Sequence, residues 1–286
     1  MSEVTKIEEV KDLTEEQNTP QVPEKQEIQE QSGKAGKAKK VVARDAQTFL
    51  NRVTLLAAFL LPFLAMLAIL VFNGVYPFGT KTMLDSDMYH QYMPFLKEYV
   101  KMVRAGQSID YSWKVGIGSN FLALYIYYLA SPTNWLVFLV PEKFIIEFMS
   151  FFVIVKIGLA GFTSCLFLRS RATSEQNPVM VAYGSLVASV FYAMSGFMAA
   201  YNWNVMWLDC VVLFPLILIA LHRLVFKGKM GLYVITLGLC IYTNFYISIM
   251  ICLFLVIYFI YLFIMEKRSF SMVWKFALGS LLAGGL

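Results

Sequence analysis

The sequence predicts an all-α fold, a polytopic transmembrane helical bundle, and three observations carry that prediction. Of the 286 residues, 58% are hydrophobic and only 15% are charged, whereas a soluble domain carries about a quarter charged residues. The apolar residues come in runs of roughly 20, the length that crosses a hydrocarbon core of about 30 Å. Those runs do not alternate polar and apolar positions, as the strands of a membrane barrel would.

The elements follow in order. Residues 1–48 contain "EEVKDLTEEQNTPQVPEKQEIQEQ", rich in Glu, Gln, Lys and Pro and free of aromatics. Such a segment buries too little apolar area to offset its ordering entropy, so a disordered tail is predicted. It is too long and too acidic for a signal peptide. Lys34, Lys37, Lys39, Lys40 and Arg44 then precede the first span. Basic residues beside a span stay in the cytoplasm, which places the N-terminus there. No aromatic platform is interleaved with them, so nucleic acid is not expected as a partner. Residues 49–286 form the transmembrane domain.

The first span covers about 53–74, so "TMLDSDMYHQYMPF" at 82–95 emerges on the outer face. The run 119–140 also has spanning length. If it crossed, the basic groups at Arg169, Arg171, His222, Arg223, Lys227 and Lys229 would fall outside, against the charge rule. Ser131-Pro132 splits it into two pieces too short to span. It therefore reads as a short re-entrant or interfacial hairpin within a large outer loop, 75–143. Further spans are expected at 144–168, 179–200, 205–225, 231–247, 248–265 and 271–286. The last is cut off mid-span, so the chain reads as the front portion of a longer protein.

Within the outer loop, Tyr92, Met93, Phe95, Leu96, Tyr99, Val100, Met102 and Val103 recur at helical spacing. Lys97, Glu98, Lys101 and Arg104 occupy the opposite face. This is an amphipathic helix, expected to lie in the membrane interface with its apolar face down and to stop at Gly106.

Candidate chemistry concentrates at few positions. Asp85 and Asp87 stand at the outer mouth of the first span. Either serves as a helix cap, or as a carboxylate that takes a proton from a hydroxyl or holds a cation against a phosphate. Gln91 lies four residues after Asp87, on one face if the helix begins that early. Lys156 is central in its span, where a lysine costs roughly 2.5–3.5 kcal/mol and must face protein or water. Its partner is either Asp209 or an anionic lipid phosphate in a cleft. Glu147 lies about 13 Å along the same axis, too far to pair well. Trp113, Trp135, Trp203 and Trp207 fall at the outer boundary, where they form an aromatic belt or line a glycan site. The cysteines Cys165, Cys210, Cys240 and Cys252 lie within apolar runs without metal-type spacing. No nucleotide, serine-hydrolase or metalloprotease motif is present.

Three stretches together resemble one family. They are "DMYHQYMPF" followed by "YSWKVGIGSNFLALYIYYLASPTNWLVFLVP", then "IVKIGLAGFTSCLFLR", then "NWNVMWLDCVVLFPLILIALHRLVFKGKMGLYVITLGLCIYTNFYISIM". They are similar to the bacterial YfhO-type membrane proteins, over about residues 49–286. That resemblance implies a fold like the GT-C class of membrane glycosyltransferases. It implies a polyprenyl-phosphate-linked sugar as donor and an envelope polymer such as lipoteichoic acid as acceptor, with membrane lipids around. The family's acidic residue, four before its Gln-Tyr pair, falls on Asp87, and the pair on Gln91 and Tyr92. Lys156, Asn202, Trp207 and Asp209 fall on its polar or aromatic positions. The cofactor stays open, a divalent cation included. Two other readings remain beside the transferase, a lipid or solute transporter or flippase and a nonenzymatic membrane scaffold.

Overall fold

The computed structural model describes residues 24–173 and 175–285, with side chains from Asp45 onward. The chain forms two compact units, residues 1–48 and 49–286. In the first unit the residues from Glu24 on are helical, the opening part of α1 (Glu24–Phe72). The expected tail spans these residues, and Glu, Gln, Lys and Ala are strong helix formers even where they offer no apolar face to a core. Residues 1–23, under the same expectation, lie outside the described residues.

The second unit is helical almost throughout. After the rest of α1 come α2 (Met93–Arg104), the short α3 (Phe121–Leu124), α4 (Ile145–Ser170), α5 (Pro178–Ala193), α6 (Gly196–Tyr201) and α7 (Val205–Lys227). Then follow α8 (Gly231–Thr243), α9 (Phe245–Met265) and α10 (Ser271–Gly284). Five helical stretches among the described residues are long and apolar enough to cross a membrane: 45–72, 142–170, 178–201, 205–227 and 245–265. The chain is thus an all-α multi-pass membrane protein. Residues 231–265 break at Asn244, whose side chain caps α9 by accepting the Ile247 N–H at 2.9 Å. At the other end of α7, Gly228 turns the chain with a φ of +65°.

Helix α4 is the centre of the bundle and packs against α5 and α7, while α7 packs against α8 and α8 against α10. Gly158 and Gly161 let α4 approach α1 closely. A Cβ on Gly158 would stand 2.8 Å from the Phe59 ring, and one on Gly161 would collide with the Ala58 carbonyl oxygen. Small residues at such crossings replace the hydrophobic drive that lipid removes.

The loop between α1 and α4 is folded onto one end of this bundle, here called the loop face. Its hairpin runs through α3 and a π-turn at Tyr125–Leu129, bends by 101°, and leaves as a 3-10 helix at Pro132–Leu139. Ser131 caps the second limb through the Thr133 N–H at 3.3 Å, and Asn134 Nδ2 donates to the Leu129 carbonyl at 3.2 Å. Neither limb has the length to span a bilayer alone. Helix α2 buries Leu96, Tyr99, Val100 and Met102. Those side chains join one core with Phe121, Leu129, Met149 and Val153. The amphipathic face expected to lie on lipid is therefore covered by protein. Arg104 Nη2 donates to the Val140 carbonyl at 2.8 Å and Lys101 stands 3.4 Å from Glu142, which pins α2 to the link before α4. Helix α2 ends at Arg104, and Gly106, with φ +65°, turns the chain away just beyond it.

Candidate functional site at the loop face

Asp85 and Asp87 take different roles. Asp85 is exposed and shapes the turn: its Oδ1 accepts the Ser86 N–H at 2.8 Å, and its carbonyl accepts the Met88 N–H at 2.9 Å. Asp87 is half-buried inside the helical start, and Gln91 Nε2 donates to its Oδ1 at 3.0 Å. No described cation pairs with Asp87.

A π-turn at Met88–Tyr92 follows, in which the Met93 N–H bonds back to the Met88 carbonyl. Such widened turns recur at functional sites because they re-aim side chains relative to the helix that follows. Here the turn buries Tyr92, whose hydroxyl donates to Asn204 Oδ1 at 2.5 Å. Burial pushes the Tyr92 hydroxyl well above its ordinary range, and Tyr128, Asp87 and Tyr127 add to the effect. The phenol stays protonated and acts as a donor. Tyr92 and Tyr128 meet edge to face at 5.4 Å, and Tyr127 reaches Phe245 at the start of α9 at 5.5 Å. Asp87 and Gln91 thus border a tyrosine cluster contributed by both halves of the loop.

Asn204 is the hinge of this arrangement. It stands at the N-terminal boundary of α7 without a side-chain capping bond, is 3% exposed, and its Nδ2 has no partner among the described residues. The next residue, Val205, receives Lys156: Nζ donates to the Val205 carbonyl at 3.2 Å and to Asp209 Oδ2 at 2.9 Å. Lys156 is 2% exposed and Asp209 6%. Of the two partners open to Lys156 in the sequence, the structure has Asp209. The pair lies on the wall of a cavity of about 410 Å³. Pro132 and Leu136 of the hairpin, with Val155, Val212 and Leu239, make that cavity strongly apolar. Its volume lies within the usual range for small-molecule pockets, about 300–1,000 Å³.

Other expected residues fall elsewhere. Asn202 Nδ2 donates back to the Met198 and Ala199 carbonyls, at 3.1 Å each, and closes α6. It borders a separate cavity with Met66 and Ile157. Trp207 joins an aromatic wall, 5.6 Å from Tyr201 and 5.9 Å from Tyr246, with its Nε1 buried and without a partner among the described residues. Sequence reasoning missed Asn204, Tyr127 and Tyr128. An Asn just before an apolar run is a recognisable helix cap, which was the one available signal for Asn204. Among the described residues no group of three or more His, Cys, Asp or Glu side chains converges, so no protein cage for a divalent cation is formed among them.

A multi-pass α-helical bundle with a carboxylate and tyrosine cluster docked on one end by its first long loop defines the class of this protein. The family model described as bacterial membrane protein YfhO matches residues 57–286. The chain belongs to that family. No curated protein and no solved structure matches the chain.

Proposed function

We propose that this chain is a membrane glycosyltransferase that moves a sugar from a polyprenyl-phosphate carrier to an extracytoplasmic cell-envelope acceptor such as lipoteichoic acid. The observation that carries the reading is Asp87, a carboxylate oriented by Gln91, free of any described cation, beside the protonated Tyr92 at the loop face. In this reading the acceptor hydroxyl oxygen bonds to the anomeric carbon. The bond from that carbon to the phosphate oxygen breaks, and the polyprenyl phosphate leaves with the electron pair. Asp87 takes the hydroxyl proton. General-base assistance of this kind contributes typically 10²–10⁴-fold.

The apolar cavity beside Lys156 and Asp209 offers the donor's isoprenoid chain a protein-lined path. The remaining assignments belong to the same proposal: a bacterial cell membrane, the N-terminus cytoplasmic and the loop face outside. The basic residues Lys34, Lys37, Lys39, Lys40 and Arg44, just before the first span, support that orientation.

Asp87→Asn in membranes supplied with a polyprenyl-phosphate-linked sugar tests the reading. Transfer is expected to fall by about 10² or more while the protein stays folded. Undiminished transfer sinks the assignment. A transporter or flippase is the second reading, favoured by the helix breaks between α5 and α6 and at Asn244. Movement of labelled lipid across sealed vesicles without glycosyl transfer would support it instead.

A further inference from the structure

The opposite end of the bundle carries a second built site. Helix α7 has 23 residues, which at 1.5 Å each separates this end from Asn204 by roughly 34 Å. A cavity of about 280 Å³ lies here, lined by Ser170, Arg171, His222, Arg223, Phe226 and Lys227. Three of these are cations, and no carboxylate lines the cavity. None of the three makes an ion pair among the described residues. The C-terminus of α7 offers about half a negative charge, which leaves most of that positive charge uncompensated.

The side chains are arranged around one ring. His222 stacks on Phe226 with centroids 5.6 Å apart and planes 11° apart. The Arg171 guanidinium stands 5.6 Å from the same ring, and Arg268 stands 4.7 Å from it. His222 is 6% exposed, its Nε2 is 2.7 Å from the Tyr258 hydroxyl, and its Nδ1 is buried without a partner among the described residues. A charge rule for membrane loops asks only for basic residues near a span. It does not ask for a cavity, a stacked guanidinium or a buried imidazole nitrogen left over.

We propose that this cavity binds the phosphate of an anionic phospholipid headgroup. Guanidinium groups match phosphate oxygens in a forked, two-bond geometry, and a charge-assisted bond is stronger than a neutral one. The position favours a lipid as the source of the phosphate. The cavity lies at the end of a helix long enough to cross the hydrocarbon core, the depth at which headgroups sit. Its apolar members, Ile219 and Phe226, offer a wall to the glycerol and first methylenes. The site is separate from the loop-face chemistry and holds whether or not the transferase reading does.

The test uses the full chain in nanodiscs of phosphatidylcholine, with or without phosphatidylglycerol, and counts retained lipids by native mass spectrometry. Retained phosphatidylglycerol is expected. The exposed pair of changes Arg171→Gln and Arg223→Gln should lower retention by about tenfold or more, the loss expected for a charge-assisted bond. Lys229→Gln and Lys275→Gln, outside the cavity lining, should leave it nearly unchanged. Unchanged retention in the arginine variant overturns the proposal, and so does an equal loss in the lysine variants, which would indicate a diffuse basic belt. Inorganic phosphate in detergent is the remaining arm. If it displaces phosphatidylglycerol and stabilises the wild type as well as the lipid does, the lipid assignment falls and a soluble phosphate takes its place.

Discussion

Tyr92 and Asn204 lie 112 residues apart, and the hydroxyl of the first donates to the side-chain oxygen of the second at 2.5 Å inside the protein. This bond ties the loop that carries Asp87 to the first turn of α7. The adjacent Val205 carbonyl receives Lys156. One turn of helix thereby joins the carboxylate cluster and the buried ion pair.

Tyr92→Phe should destabilise the protein by about 1–3 kcal/mol, because Asn204 then keeps a buried oxygen with no donor. A double-mutant cycle with Asn204→Ala, read by thermal unfolding in detergent, should give a coupling of about 0.5–3 kcal/mol. The same phenol sets a pH dependence. In the unfolded chain it titrates near its ordinary value of 10.0, and burial raises it in the fold. Above that value the unfolded chain binds fewer protons than the native one, so stability falls as pH rises. Below it this group contributes no slope. The fall should be smaller in Tyr92→Phe.

Lys156→Met strands Asp209 in an apolar environment and should cost about 3–5 kcal/mol, visible as loss of folded protein on size-exclusion chromatography. Lys156→Met combined with Asp209→Leu should recover most of it, since an apolar pair of similar volume is often as stable as a buried ion pair. Glycosyl transfer by the folded double variant then reports whether the pair also meets the donor. Retained transfer makes the pair purely architectural.

The contact of α1 with α4 is narrow. Gly161→Leu should separate the two helices and lower the melting temperature, because even a Cβ there collides with the Ala58 carbonyl. Gly184→Ala is the matched control. Nothing lies within 4 Å of a Cβ at that site in α5, so the change should stabilise by up to about 1 kcal/mol through helix propensity.

The two aspartates should separate in function. Asp85→Asn keeps an oxygen for the Ser86 N–H and should leave transfer near wild type. Gln91→Leu removes the donor that orients Asp87 and should lower the turnover number more than it raises the Michaelis constant. Equal loss in both variants would mean that the turn as a whole matters, and not one carboxylate.

The sequence made the helical bundle legible because hydropathy and length are read directly from composition along the chain. Ser131-Pro132 announced the hairpin bend, since proline removes a backbone donor and fixes its own φ. The cost of a mid-span lysine announced that Lys156 needs a partner. What stayed hidden depends on packing between distant segments. The period of α2 showed an apolar face but not whether lipid or the hairpin covers it. The π-turn has no hydropathy signature. The choice of Asn204 over Asn202 follows from where the end of α6 points the chain, and the place of Asn204 before an apolar run does not say that its side chain meets Tyr92.

The turn at Met88–Tyr92 holds one residue more than an α-helical turn would. The widened turn absorbs that residue, so Asp87 and α2 keep their relative direction while the side chains between them are re-aimed. A deletion of one residue there would close the segment as an ordinary helix and shift Gln91 against Asp87 and Tyr92 against Asn204, at the cost of the buried Tyr92–Asn204 bond. Spacing is therefore as much a part of the message as residue identity. A relative with the same letters and a shorter count between Asp87 and Met93 would be a different instrument.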